Sequence, residues 1–457
     1  MAINSSGSVS LGGSTAGQSI ALELGLSATG AITLNDAGVR DLAGIASGAI
    51  VLPTNFWGAS SIVNALIYYI GADYKGAAGD GTDTNVHKWA YCCTDPYPVA
   101  ACCCRFTSLT SAGGKNYASQ AKIGITCDNT MFSWGSCNAS GELMQGNCNA
   151  YRVPTQVGSE TTWCRAAALG WDTCIGVSYV VKSNGRSYGA GSMCFGWQGR
   201  GVSWQGEAGC ATLRDLMHCD GNPMYYKGNV KDVFLSAGAG ASMVLLTNGD
   251  MYATHNAAGG AGGTNYAYGL TNGFLKVAGS YDWLEGWFGN NNAGYFLRDN
   301  GEVYGAGSSG GGQLGRNVNS AANISSPVYI TNGFKTIRAG RSNAFGIKCN
   351  GTLWGWGSGN NYTLGNHNIN YSSPIQIGSA TNWDRFNSGT MDNSYSAIKC
   401  DNTLWAWGTN LYIFEDKSNY NLLSNPTQVH VDLTNCLSGI TDWKLNAQDG
   451  VYIMTDQ

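Results

Sequence analysis

Sixteen cysteines stand in this chain of 457 residues, and thirteen of them fall between Cys92 and Cys219. Thiols oxidise to disulfides, ligate metals or act as nucleophiles, so this stretch holds the densest reactive chemistry in the sequence. Cys92-Cys93 and Cys102-Cys103-Cys104 are contiguous, and Cys137, Cys148, Cys164, Cys174, Cys194, Cys210 and Cys219 follow. An even count with dense clustering points to disulfides among these twelve. The opening MAINSSGSVS has no basic segment followed by an apolar core, so no export signal is visible. The bridges are therefore expected only after the chain leaves a reducing cytosol. Adjacent cysteines on a strand face opposite sides, so Cys92 and Cys93 cannot both pair on one face. Cys127, Cys349 and Cys400 differ from the rest: each holds the same place in a recurring phrase and is expected to be a small buried hydrophobe.

Other chemistries are poorly supplied. Cys210, His218 and Cys219 lack a CxxC pair, and the adjacency of the last two is awkward for one tetrahedron, so no metal is assigned. No HExxH, GxSxG or phosphate-loop motif occurs, and no cofactor is implied. Glu207 and Asp215 could be imagined as acid and base, but nothing in their spacing demands it. The expectation is a protein that is not an enzyme.

The elements that must position these residues come from the phrase itself. It reads CNGTLWGWG at Cys349–Gly357, CDNTLWAWG at Cys400–Gly408 and CDNTMFSWG at Cys127–Gly135. Looser copies begin at Ser183, Thr247 and Asp299, so the period is roughly 50 residues, the mark of a repeat architecture. Asn-Gly or Asp-Asn between alternating runs reads as the two-residue turn of a β-hairpin. Pro-x-Gln-(Val/Ile) at Pro154, Pro374 and Pro426, with weaker versions at Pro327 and Pro98, marks an edge strand, because proline lacks a ladder donor. The aromatics that follow, Phe106, Trp163, Phe334 and Trp383, are read as part of the same outer region. Four-stranded blades of this kind pack radially.

Both ends of the chain fit one blade. Val451–Gln457 aligns with the strand before a turn, and its partner strand is missing. Lys88-Trp89-Ala90-Tyr91 resembles the strand after a turn, and is expected to pair with the strand ending at Thr455 and so close a ring of seven blades. The expected division is an N-terminal segment at 1–58, a linker at 59–85 and a β-propeller at 86–457.

The LWGWG-type strands, the Pro-x-Gln-Val and Gly312-Gln313-Leu314-Gly315 resemble the propeller repeats of the regulator of chromosome condensation family. The resemblance implies an all-β, seven-bladed propeller used as a binding platform. Its best-known member exchanges nucleotide on a small GTPase; the loops of that activity find no match, so only the fold carries over.

Charged residues make up 12% of the chain and the formal charge is −4, so the phosphate-neutralising surface needed for nucleic acid is missing. Ser60–Ile70 is too short and too interrupted to span a bilayer, and reads as a strand or short buried helix.

Residues 1–58 have no cysteine and no repeat phrase. Val39, Leu42 and Ile45 form the apolar stripe of a short helix, and with Leu34, Phe56 and Trp57 they are the candidate anchor residues. The segment is too small for its own core and must dock on something. Its Val9-Ser10-Leu11, Ile32–Asp36, Val39-Arg40 and Leu42–Ile50 resemble N-terminal regions of tailed-phage virion proteins. The resemblance implies a multicopy virion protein, made in the host cytoplasm, anchored to other virion proteins by this segment. The propeller would be displayed for assembly or for a host receptor or glycan. Aromatics on inserted loops, Trp197, Trp204, Tyr225, Tyr226, Tyr266 and Tyr268, are the candidate binding residues of the distal face. A second expectation is a cellular propeller that scaffolds or regulates a protein partner. A glycan-cleaving tail protein is the least supported alternative.

Overall fold

The computed structural model describes Ile20 and residues 66–71, 97–98, 106–111, 121–135, 138, 140–170, 176–191, 210–236, 241–254, 261–264, 273–279, 282–289, 292–317, 323–365, 367–386, 394–409, 422–428, 440–446 and 450–455. The chain divides into two compact units, Met1–Leu66 with Thr455–Gln457, and Ile67–Met454. The repeats lie in the second.

The strands run in chain order. At the start are β1 (Leu66–Gly71) and β2 (Tyr97–Pro98). Blade one is β3 (Phe106–Ser111), β4 (Lys122–Thr126), β5 (Met131–Gly135) and β6 (Tyr151–Gln156). Blade two is β7 (Trp163–Gly170), β8 (Gly176–Lys182), β9 (Ser187–Gly191) and β10 (Cys210–Asp215). Blade three is β11 (Val230–Ser236), β12 (Ala241–Leu246), β13 (Met251–Thr254) and β14 (Leu275–Lys276). Blade four is β15 (Trp283–Gly289), β16 (Ala293–Arg298), β17 (Val303–Gly307) and β18 (Ile324–Thr331). Blade five is β19 (Phe334–Ala339), β20 (Asn343–Lys348), β21 (Leu353–Gly357) and β22 (Tyr371–Gln376). Blade six is β23 (Trp383–Phe386), β24 (Ser394–Lys399), β25 (Leu404–Thr409) and β26 (Leu422–Gln428), and β27 (Ile440–Asn446) and β28 (Gly450–Thr455) follow.

Within each blade the four strands neighbour one another in sequence order, and the first strands of successive blades touch. The first strand is thus the innermost. This makes an all-β propeller. The expected seven blades resolve into six that are continuous in sequence and one composite sheet of order β2-β1-β28-β27. Strand β27 packs on β3 of blade one. The neighbour of β28 is β1, not the stretch Lys88–Tyr91, which lies outside the described residues. Strand β1 falls inside the stretch 59–85 that the sequence assigns to a linker. LIYYIG is a β-branched and aromatic run, and that chemistry makes it the strand.

The repeated phrase is a hairpin with a three-residue turn, not the expected two. In blade five the Gly351 amide bonds to the Lys348 carbonyl, and the Lys348 amide to the Thr352 carbonyl. Only the third turn residue has positive φ: Asn129, Gly185, Gly249, Gly301, Gly351 and Asn402 in the six blades. This is a tight turn followed by a left-handed residue, the next commonest hairpin connection. The second turn residue accepts the amide two positions on, as Asn350 does from Thr352 at 3.2 Å and Asp401 from Thr403 at 3.0 Å. The first turn residue points to solvent. Cys127, Cys349 and Cys400 are therefore exposed, which corrects the expectation that they are buried.

Each turn is also fastened to its neighbours. The left-handed residue's carbonyl accepts the amide that opens the next blade: Asn129 from Trp163, Gly185 from Val230, Gly249 from Trp283, Gly301 from Phe334 and Gly351 from Trp383. At Gly351 a Cβ would lie 2.1 Å from the Thr381 carbonyl oxygen, so glycine is required twice over, by φ and by space.

The prolines lie where the sequence puts them, on outermost strands β2, β6, β18, β22 and β26. The aromatics after them do not: Phe106, Trp163, Phe334 and Trp383 open the innermost strand of the following blade. There they join the core, which is a series of interfaces between adjacent blades. One such interface sets Phe345, Ile347 and Leu353 of blade five against Trp383, Tyr395 and Trp407 of blade six.

Candidate functional site

Every inner strand of the six blades carries a bulge after its first residue, as between Trp283 and Glu285 or Phe334 and Thr336. A bulge re-aims the side chains that follow it. The third and fifth residues then share a face, by the two-residue period of a strand. The third is Arg165, Asp232, Glu285 and Thr336 in blades two to five; the fifth is Ala167, Phe234, Trp287 and Arg338.

Ala167, Asp232, Phe234 and Trp287, with Ser108 and Thr110 of blade one, line a cavity of about 450 Å³ between the inner strands of blades one to five. Glu285 and Arg338 line it as well. Phe234 meets Trp287 edge to face at 5.3 Å, and the Arg338 guanidinium lies 3.7 Å above the Trp287 ring. This row crosses three blades. Glu285 is pinned by the next blade: the Thr336 hydroxyl donates to it at 3.0 Å and the Ile337 amide at 2.9 Å. Asp232 is held through one oxygen, which accepts the Val233 amide at 2.8 Å.

Depth sets the electrostatics. Burial pushes the Glu285 carboxyl above the usual carboxylate range, with Arg338, the Ile337 amide and the Thr336 hydroxyl pulling it partly back. Burial raises Asp232 in the same way, offset by the Val233 amide, Arg165 and Arg338. Burial lowers Arg338, and Glu285 and Asp232 oppose that shift. The cavity thus holds fixed, preoriented polar groups. The hydroxyl of Thr336 is spent on Glu285, and the chemistry on offer is recognition through hydrogen bonds and ring faces.

A second candidate lies on the surface. The connection 216–229 between blades two and three is longer than its counterparts at 157–162, 277–282, 332–333 and 377–382. It carries a short 3-10 turn, Met224–Tyr226. Met224 is buried as its plug, and Tyr226 is 68% exposed. The Tyr225 and Tyr226 rings lie 4.6 Å apart. Arg186, just past the blade-two turn, covers Tyr225 at 4.6 Å and bonds Asp215 at 3.3 Å. The structure therefore brings together Tyr225 and Tyr226 of the six expected binding aromatics. Trp197, Trp204, Tyr266 and Tyr268 lie outside the described residues, as do Leu34, Val39, Leu42, Ile45, Phe56 and Trp57. Asp215 is engaged by Arg186, and Glu207 lies outside the described residues.

The sequence reading missed Asp232, Glu285 and Arg338. The signal was available as charges at the third or fifth residue of several blade-opening strands, in a chain with few charges.

Of the disulfide candidates, Cys148, Cys164 and Cys219 are free thiols, which corrects the expectation for those three. Cys148 and Cys219 are exposed and Cys164 is half-buried, its thiol 3.4 Å from the Val181 carbonyl oxygen. Cys92, Cys93, Cys102, Cys103, Cys104, Cys137, Cys174 and Cys194 lie outside the described residues, and Cys210 is described in its backbone alone. Brief treatment of the native chain with a maleimide is expected to modify the exposed Cys127, Cys148, Cys349 and Cys400 within minutes, Cys219 more slowly because burial and Asp220 raise its thiol, and the half-buried Cys164 slowest. Burial raises the Cys164 thiol and depletes its reactive thiolate. Peptide mapping reads the order; equal labelling of Cys164 would contradict its packing. Among the described residues no three metal-ligating side chains converge, and no helix is long and apolar enough to cross a membrane.

The fold has clear relatives among solved structures. Human WBSCR16 matches with a TM-score of 0.67 at 16% identity, covering 86% of this chain and 99% of that one. Prp20p of Saccharomyces cerevisiae, whose structure was reported with its binding to Gsp1p and histones, gives 0.66 at 15% identity over 86% and 92% of the two chains. Yeast RCC1 (Prp20) bound by Kap60 gives 0.65 at 15% identity, covering 86% of this chain and 89% of that one. At such identities the likeness establishes the propeller fold of regulator of chromosome condensation type. No protein-family model and no curated protein sequence matches the chain.

Proposed function

We propose that this protein is a non-enzymatic binding platform for a protein partner, with the composite sheet serving as the seventh blade and closing the ring. The observation that carries the reading is the exposed Tyr226 stacked on a half-buried Tyr225 that Arg186 covers, on a connection longer than its counterparts. Tyr and Arg are the residues enriched at energetic centres of interfaces, and Tyr226 is 68% exposed beside them. The structurally similar yeast proteins bind protein partners, which supports the same use of the fold.

The double variant Tyr225→Ala/Tyr226→Ala tests this. Affinity capture with the full chain as bait, quantified by mass spectrometry, is expected to recover a partner in stoichiometric amount. The variant should lose at least about tenfold of it, as befits truncation of a hot spot. Its melting temperature should stay within about 2 °C of the parent, since surface changes cost little. A partner retained by the variant would move the interface elsewhere.

The setting is a separate proposal resting on the sequence of residues 1–58. Their resemblance to tailed-phage virion proteins supports a chain carried on a particle through Leu34, Val39, Leu42 and Ile45. The similar structures are human and yeast proteins, so partner binding is placed first and the particle second. Mass spectrometry of purified particles separates the two settings.

A further inference from the structure

The cavity between the inner strands is unusual for what it leaves open. Ala167 occupies the register position that holds Thr110, Phe234, Trp287 and Arg338 in the four other lining blades. The aromatic row that begins at Arg338 and passes through Trp287 and Phe234 therefore stops short at blade two. The small Ala167 leaves the space on this face unfilled, while Ala166 and Ala168 pack against the buried cluster between blades one and two. Propeller blades surround a central channel, and a recess of it bordered by oriented polar groups has the form of a ligand site.

Its chemistry is specific. Ser108 and Thr110 put hydroxyls on one wall, and Phe234 and Trp287 put rings on another. Both Glu285 oxygens accept from Thr336, so Glu285 acts as a brace. Asp232 has one oxygen fixed by the Val233 amide, and its carboxyl borders the cavity. Among the described residues, the charged side chains of the lining, Lys231, Asp232, Glu285 and Arg338, sum to zero. An ion entering this space would lose its water without gaining a net counter-charge. A neutral molecule rich in hydroxyls would donate to Asp232, exchange bonds with Ser108 and Thr110, and lay its C–H face on the rings. The volume, about 450 Å³, suits one or two sugar rings.

We propose that this cavity binds a small neutral saccharide, with Asp232 as the principal acceptor and Ala167 as the residue that keeps the space open. The site is independent of the Tyr225–Tyr226 surface.

Glucose, galactose, N-acetylglucosamine, maltose and lactose are titrated onto the full chain by calorimetry, with the intrinsic fluorescence of Trp287 and its neighbours as a second readout. Glycine serves as a zwitterionic control. At least one sugar is expected to saturate with a Kd below about 1 mM. Asp232→Ala should weaken it tenfold or more, and Ala167→Phe should abolish it. Tyr225→Ala/Tyr226→Ala should bind the sugar like the parent, so loss of the protein partner and loss of the sugar are distinguishable. Circular dichroism and melting establish that each variant is folded. If Asp232→Ala does not fold, Asp232→Asn, which keeps the volume and halves the acceptors, takes its place. The proposal is overturned if no sugar saturates, if glycine binds in place of the sugars, or if binding survives both the Asp232 and the Ala167 change.

Discussion

Removal of residues 450–457 is expected to lower the stability of all six continuous blades together. Strand β28 is the middle link of the composite sheet, bonded to β1 on one side and β27 on the other. A six-residue strand paired on both edges makes about six backbone hydrogen bonds, each worth about 1 kcal/mol net. Its loss also strips the pairing edges of β1 and β27, and unpaired edges invite association. The truncated chain should lose about 5 kcal/mol or more in urea unfolding and should elute partly as aggregate. Removing only Asp456 and Gln457, beyond the strand, is the control. A truncated protein that unfolds at the parent's midpoint would show that the blades do not depend on this sheet.

Trp407→Ala should be the most damaging single substitution at a blade interface. The side chain is fully buried, and its indole N–H donates to the Thr363 carbonyl at 3.0 Å. Its ring packs on Phe345 at 5.7 Å in blade five, and on Tyr395 at 6.0 Å and Trp383 at 6.4 Å in its own blade. Truncating a buried tryptophan leaves a cavity that the surroundings only partly fill, at a cost of about 3–5 kcal/mol. Trp407→Phe keeps a ring and loses the donor, leaving the Thr363 carbonyl without this bond at a cost of about 1–3 kcal/mol. Equilibrium unfolding of both variants gives the two terms by difference. An alanine variant within 1 kcal/mol of the parent would mean that this interface closes up freely.

The same residues show why the architecture could be read from the sequence. The LWAWG strand after Asp401-Asn402 buries Leu404, Ala406 and Trp407 and leaves Trp405 half-exposed, so its alternation and its turn chemistry agree. Local preference and burial coincide there, and the repeat stands out. Where they part, the reading failed. Cys349 and Cys400 look like the end of an apolar strand, yet they are the first residues of a three-residue turn. The Asn-Gly dipeptide reads as a complete turn by itself. The composite sheet escaped because Leu66–Gly71 lacks the repeat phrase, whereas Trp89 carries part of it. The cavity escaped for another reason. A lone Asp232 or Glu285 on a strand looks like a solvated residue, and only the bulge and the neighbouring blade turn it inward. Tyr225 and Tyr226 were legible because they sit on an insertion, where composition is not dictated by the repeat.

The fastening of each turn to the next blade bears on how such a chain can change length. The amides of Cys349 and Cys400 bond to the carbonyls of Gly333 and Asn382, and the carbonyl of Gly351 takes the amide of Trp383. A single residue added to such a turn would break bonds to two blades at once, so these hairpins are frozen in size as well as in shape. Growth on that rim is left to the connections that lead from one blade to the next. Stretch 216–229 is one that has grown, and it buries Met224 as a plug while lifting Tyr226 into solvent. New surface on this scaffold arises by lengthening the joints while the repeats stay fixed.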